Sequence, residues 1–364
     1  MDPQPVPVLT GLTDSLITGS SLVSGLFVTD RAPAPEAGPP EMPVREPIAR
    51  GVVIASDGAR DGQRLHDDLA FAAEIGLQHV RLDVPWALAQ PKAGRTDGGV
   101  MESLHAAALA AHGHGLQPWF RLLQADVPHW FDDEGGFTDD RVAGLWWPRW
   151  VEAVTEHLGE VAAGWVPFEA PFAMAQRIEP TDPRKHGELT HNLVIAWRDA
   201  WRILRGGPPV ATSLDVLTER PTGPTQRDID EARRRDQLRW GLWLDGLSNG
   251  NVHIPGRYDR EVRDLADACD ILGLAVRSDV ANVLDRAADQ GPERPLAITF
   301  RPTGTNDSER AESIATMWRD LRRAEGSYDI TSVTITPLLD APGRLGLATD
   351  GRRLKDAGEA FLAG

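Results

Sequence analysis

From residue 51 onward, short runs rich in apolar and β-branched residues alternate with longer stretches of helical period, and the pair recurs eight times. The runs fall at residues 51–55, 80–84, 118–122, 165–168, 209–213, 271–275, 296–300 and 332–335. Helical periods follow them at 63–75, 101–112, 142–158, 186–204, 229–247, 279–288, 308–324 and 353–362. Strands that alternate with helices cannot pair as hairpins, so they predict a parallel sheet with its helices outside. Eight such units in about 310 residues predict a closed (β/α)8 barrel, the TIM-barrel form of the α/β class, rather than an open sheet. No fixed-period repeat points to a solenoid.

Residues 1–48 have a different composition. Residues 8–28 are weakly apolar and rich in Ser, Thr and Gly, and Pro33, Pro35, Pro39, Pro40, Pro43 and Pro47 follow closely. This predicts a flexible proline-rich arm ahead of a barrel at 49–364. A protein partner docking through residues 16–27 is the sharper alternative.

Charge narrows the function. The chain is 41% apolar and 25% charged, with a net charge of -16. That is a core-forming composition without the basic footprint that nucleic acid or an anionic membrane requires. No apolar run reaches eighteen residues, and Met1-Asp2-Pro3-Gln4-Pro5 lacks the positive start of a secretory signal, so a cytoplasmic location is expected. Cys269 is the sole cysteine and precedes an apolar run, which predicts a buried structural thiol. His112 and His114 close a helix without further ligands, and residues 246–256 hold glycines without a Lys-Ser/Thr pair. Neither a metal nor a cofactor is expected. Trp146, Trp147, Trp150, Trp197, Trp201, Trp240 and Trp243 fall on the outer helices, where they pack against the barrel.

Sites in such barrels sit at the C-terminal ends of the strands. The segments there carry a likeness. His79-Val80-Arg81-Leu82-Asp83-Val84-Pro85-Trp86 resembles the second-strand Arg-Phe-Ser-Ile-Ser-Trp of glycoside hydrolase family 1, the retaining β-glucosidase family. Residues 115–122 with Asp126-Val127-Pro128 and Gly135-Gly136-Phe137 resemble its third strand and following loop. Trp165-Val166-Pro167-Phe168-Glu169-Ala170-Pro171 is similar to Trp-Ile-Thr-Leu-Asn-Glu-Pro, and Pro295-Leu296-Ala297-Ile298-Thr299-Phe300 to Pro-Leu-Tyr-Ile-Thr-Glu. Leu338-Leu339-Asp340 and Arg344-Leu345-Gly346-Leu347 resemble the last strand and its turn. The likeness runs in order over residues 49–364.

The resemblance implies two carboxylates about 5–5.5 Å apart, one an acid and the other a nucleophile. It places the acid at Ala170 and the nucleophile at Phe300, and neither side chain can serve. The family's sugar-binding positions match Gln124-Ala125, Ala275-Val276-Arg277 and Thr336. Arg81, Trp86, Trp119 and Asp126 are retained. A pseudoglycosidase is therefore expected, with Arg81, Trp86, Arg121, Gln124, Asp126, Arg277 and Arg301 as candidate ligand contacts. Arginines gathered at the mouth would suit a carboxylate or phosphate. Alternatively, each arginine pairs with Glu169, Asp83 or Asp340. The other expectation is an active glycosidase in which Glu169 is a displaced acid working with Asp340 or Asp83 through water. The small-molecule ligand is then either an anion or a glycoside.

Overall fold

The computed structural model of the chain describes residues 47–54, 62–123, 126–324, 326–341 and 343–364. The arm expected at 1–48, but for its last two residues, and the candidate contact Gln124 lie outside the described residues. Eight parallel strands form the barrel: β1 (Ala49–Ile54), β2 (His79–Asp83), β3 (Gln117–Leu123), β4 (Gly164–Phe168), β5 (Leu214–Asp215), β6 (Leu272–Val276), β7 (Leu296–Phe300) and β8 (Ile330–Ile335). Each pairs in parallel with its neighbours in chain order except across β4 and β5, and β8 returns to β1 through Ala49–Ser332 to Val52–Ile335. The fold is the expected (β/α)8 barrel.

The ring closes between β4 and β5 on few bonds. Trp165 N donates to Pro209 O at 2.9 Å, Ala211 N to Trp165 O at 2.9 Å, and Ala170 N to Ser213 O at 2.8 Å. In a parallel strand every second residue turns its N–H and C=O to the same neighbour. Trp165 and Pro167 therefore both face β5, and Pro167 has no N–H to give. The fifth strand accordingly keeps regular pairing only at its end, beside β6, and is shorter than the run at 209–213 suggests.

Most helices lie where the periodicity puts them, including His186–Leu204 and Asp307–Ala324. The long helix expected at 229–247 is two helices, Gln226–Asp236 and Leu242–Asn249, joined by a π-helical turn at Gln237–Gly241. Three short helices, Trp86–Ala89, His129–Asp133 and Pro171–Ile178, sit in the mouth loops, where periods are too short to read. A small antiparallel pair, Asn251–Val252 with Arg260–Glu261, lies between Leu242–Asn249 and β6. No described helix is long and apolar enough to cross a membrane.

Tryptophans fasten the outer layer. Trp150 Nε1 donates to Leu122 O at 3.0 Å, Trp147 Nε1 to Ala196 O at 2.8 Å, and Trp197 Nε1 to Ala268 O at 2.8 Å. All three are fully buried, so each supplies a large apolar surface and satisfies its one polar group. Cys269 is buried and free, and burial pushes its thiol up to about 12, as a structural cysteine requires.

The interior of the ring is layered because side chains alternate along a strand. At the bottom His79 Nε2 lies 2.8 Å from Thr334 Oγ1. Its ring covers Gly51, where a Cβ would come within 2.1 Å of the imidazole. One layer up, Arg81 Nη1 donates to Thr299 Oγ1 at 3.1 Å. The top layer holds Asp83, Arg121 and Arg301, and that layer is the floor of the mouth.

Candidate functional site

The C-terminal end of the barrel opens into a cavity of about 840 Å³. Its floor is a buried ion network. Arg121, from β3, donates from Nε to Asp83 Oδ1 at 2.6 Å and from Nη1 to Glu169 Oε2 at 2.7 Å. Asp83 and Arg121 are paired residues of β2 and β3, which is why the contact forms. Arg81 approaches the same Glu169 oxygen at 3.5 Å from below, and Arg301 Nη2 donates to Glu169 Oε1 from β7. Three guanidinium groups thus share two carboxylates.

The network fixes protonation. Burial alone would raise the Glu169 carboxyl, but Arg121, Arg301 and Arg81 together bring it down to about 2. Burial lowers Arg81 to about 10, partly offset by Glu169, so it stays charged at neutral pH. Burial opposes the charge of Arg121 as well, yet its two carboxylate partners raise it above its usual value.

The expected acid and nucleophile positions lie on different sides of the barrel wall. Ala170 borders the cavity with a left-handed backbone (φ 54°, ψ 61°) just before the helix that begins at Pro171. Phe300 is fully buried and faces outward, lining a separate space with Val280 and Met317. Its neighbours Thr299, in β7, and Arg301, just past the strand, are the ones that face in. No residue from 299 to 301 is a carboxylate.

Of the candidate site residues, Asp83, Arg121, Asp126, Glu169, Arg277 and Arg301 border the cavity, and Arg81 lies directly beneath Glu169. Trp86 does not border it. Its ring is buried, stacked on Trp150 at 5.5 Å, and Nε1 donates to Gln90 Oε1. Asp340 also stands apart, accepting from Lys355 Nζ and from Gly346 N, both at 2.7 Å. So the two proposed partners of Glu169 differ: Asp83 is in its network and Asp340 is not.

Three further arginines border the cavity that the strand ends alone did not suggest. Arg177 ends the short helix after β4, Arg310 lies in the first turn of the helix after β7, and Arg344 is in the loop after β8. Among the described residues the cavity therefore holds six arginines, at 121, 177, 277, 301, 310 and 344, against the acids Asp83, Asp126 and Glu169. It is a cationic mouth in a chain of net charge -16. Among the described residues Arg177, Arg277 and Arg344 make no ion pair with a carboxylate. The short loop helix hid Arg177, while Arg344 was legible only as part of a turn.

Comparison with known proteins agrees with this barrel. A furostanol glycoside 26-O-beta-glucosidase from Hellenia speciosa is 21% identical over 226 residues, 54% of this chain and 40% of its own length. A 6-phospho-beta-galactosidase from Lacticaseibacillus casei is 24% identical over 208 residues, 52% of this chain and 42% of its own. The chain thus spans about two fifths of the length of these relatives. The crystal structure of the GH1 beta-glucosidase from Exiguobacterium antarcticum B7 superposes with a TM-score of 0.74 at 15% identity, covering 87% of this chain and 96% of that one. The profile of glycosyl hydrolase family 1 matches residues 49–282, well over half the chain, and on that match, with the barrel and its mouth as described, the chain belongs to glycosyl hydrolase family 1.

Proposed function

We propose that this family 1 barrel does not cleave glycosides by the retaining mechanism, and instead binds a small anionic ligand in its mouth. The observation that carries the reading is the state of Glu169. A general acid must hold a proton near working pH, which calls for a raised pKa. Glu169 is driven the other way, to about 2, and both of its oxygens are engaged by arginines. The absence of a carboxylate at residues 299–301 supports the loss of the nucleophile as well. The surplus of arginine over acid around the cavity favours an oxyanion, since a guanidinium offers paired donors that match carboxylate or phosphate. One relative is named for a phosphorylated glycoside, which fits an anionic ligand in this family.

The rival reading keeps a hydrolase, with Glu169 and Asp83 acting through water. It draws on both carboxylates bordering one cavity. The two readings separate in one pair of assays. On a panel of aryl β-glycosides the wild type is expected to show no turnover above buffer, and Glu169→Gln the same. Turnover that falls in Glu169→Gln would establish the rival. By calorimetry, methyl phosphate is expected to bind and to bind about tenfold more weakly to Arg277→Ala, the loss of one charged contact. No heat of binding from methyl phosphate or from acetate would remove the anionic ligand.

A further inference from the structure

The arginines of the mouth fall into two sets. Those of the floor, Arg81, Arg121 and Arg301, are engaged by Asp83 and Glu169. Those of the rim are not: Arg177, Arg277 and Arg344 are exposed and, among the described residues, make no ion pair with a carboxylate. The rim set is also dispersed around the ring. Arg177 follows β4, Arg277 follows β6 and Arg344 follows β8. In a closed ring of eight strands in chain order, β4 and β8 stand opposite each other and β6 lies midway between them. Arg177 and Arg344 therefore come from loops that follow facing strands of the ring, Arg277 from the loop after the strand between them, and all three border one cavity.

A single phosphate or carboxylate is small beside such a space. Cavities of several hundred Å³ hold ligands the size of a drug molecule, and this one is about 840 Å³. One oxyanion at one wall would leave the arginine opposite without a partner. On the wall between β7 and β8, Arg310 adds a further demand. It is 7% exposed, donates from Nη1 to Pro302 O at 3.2 Å, and has no hydrogen-bond partner at Nε or Nη2. Buried guanidinium donors without partners are costly.

Resting on the anionic reading above, we infer that the mouth recognises a ligand carrying two or more separated anionic groups, held between Arg177 on the β4 wall and Arg344 on the β8 wall. The class is a bis-phosphate or a phosphate–carboxylate compound whose anionic ends are joined by a neutral body. Arg277, in the same cavity, shares the oxyanion of one end. Each end binds weakly, and the link between them converts the second contact into an intramolecular one, which raises affinity without any new contact.

The test is calorimetry on the whole chain with methyl phosphate and with a series of straight-chain α,ω-alkanediyl bisphosphates of increasing length. Affinity is expected to pass through a maximum at one length and there to exceed that of methyl phosphate by at least about tenfold. Arg177→Ala and Arg344→Ala are each expected to abolish the maximum and return that bisphosphate to the level of methyl phosphate. Both side chains are exposed, and unchanged melting curves for the variants check that they fold. Methyl phosphate binding as tightly as every bisphosphate would overturn the spanning site and leave the anionic reading standing. Binding of neither would overturn both.

Discussion

Arg121 bridges Asp83 and Glu169 with two edges of one guanidinium, and its Nη1 lies 2.7 Å from Glu169 Oε2. The bridge joins strands β2, β3 and the end of β4, so it acts as a structural tie as well as an electrostatic one. Lysine has one charged tip and cannot contact two carboxylates along two edges.

Arg121→Met is expected to destabilise the fold by about 3–5 kcal/mol, because it leaves two buried carboxylates with less compensation. Arg121→Lys should retain part of that loss. Urea unfolding followed by tryptophan fluorescence measures both.

Acid should weaken the protein through Glu169. Its carboxyl titrates at about 2 in the folded chain against 4.5 in its ordinary state. A depressed carboxyl contributes stability that is present above about pH 4.5 and lost as pH falls toward 2, on the order of 3 kcal/mol in all. Glu169→Gln is expected to flatten the stability curve between those values, read by unfolding at fixed urea across pH.

Asp215 works in the opposite sense. Burial raises its carboxyl from 3.8 to about 6 despite the hydrogen bond from Arg239, and its Oδ1 has no partner. A raised carboxyl contributes stability below about pH 4 that is lost as pH rises through 6. Asp215→Asn should remove that decline between pH 4 and 6, and Glu219 still holds Arg239 on its other edge. Melting temperatures of the two proteins across that range check the point.

Phe300 faces the helices and not the mouth, so a carboxylate placed at 300 would not reach the cavity. Phe300→Glu is expected to bury a carboxylate against Val280 and Met317 and to cost at least about 3 kcal/mol. Arg301→Glu points into the mouth, and it should perturb the Glu169 network through like charge. Circular dichroism melts of the two variants distinguish these effects.

The barrel was legible because its eight strand runs are bounded by long amphipathic helices, and period alone separates the two. The mouth was legible in part. Arg121, Arg301 and Glu169 sit at or near strand ends with Arg81 one layer below, and the structure gathers the three arginines around the one carboxylate of Glu169. Trp86 follows a strand end too, yet its ring turns into the aromatic layer, a direction that spacing does not encode. For β7, alternation already implies that Thr299 and Phe300 cannot face the same side. Which of them faces inward depends on pairing with β6 and β8, and the sequence of one strand does not carry that. Arg177 and Arg310 come from elements whose approach to the cavity depends on the packing of the whole ring.

Pro167 has a consequence for how the ring moves. Along the β2–β3 seam five residue pairs run without interruption, whereas the β4–β5 seam lacks the bond that a residue with an N–H would supply at 167. A cylinder opens first along the seam with the fewest bonds, and among the described residues the β4–β5 seam has no ladder and three backbone bonds. The wall that parts is the one bearing Glu169 and Arg177, so breathing of the seam enlarges the entrance on that side alone. Amide exchange at Trp165 and Ala211 should accordingly outpace that of the β2–β3 amides.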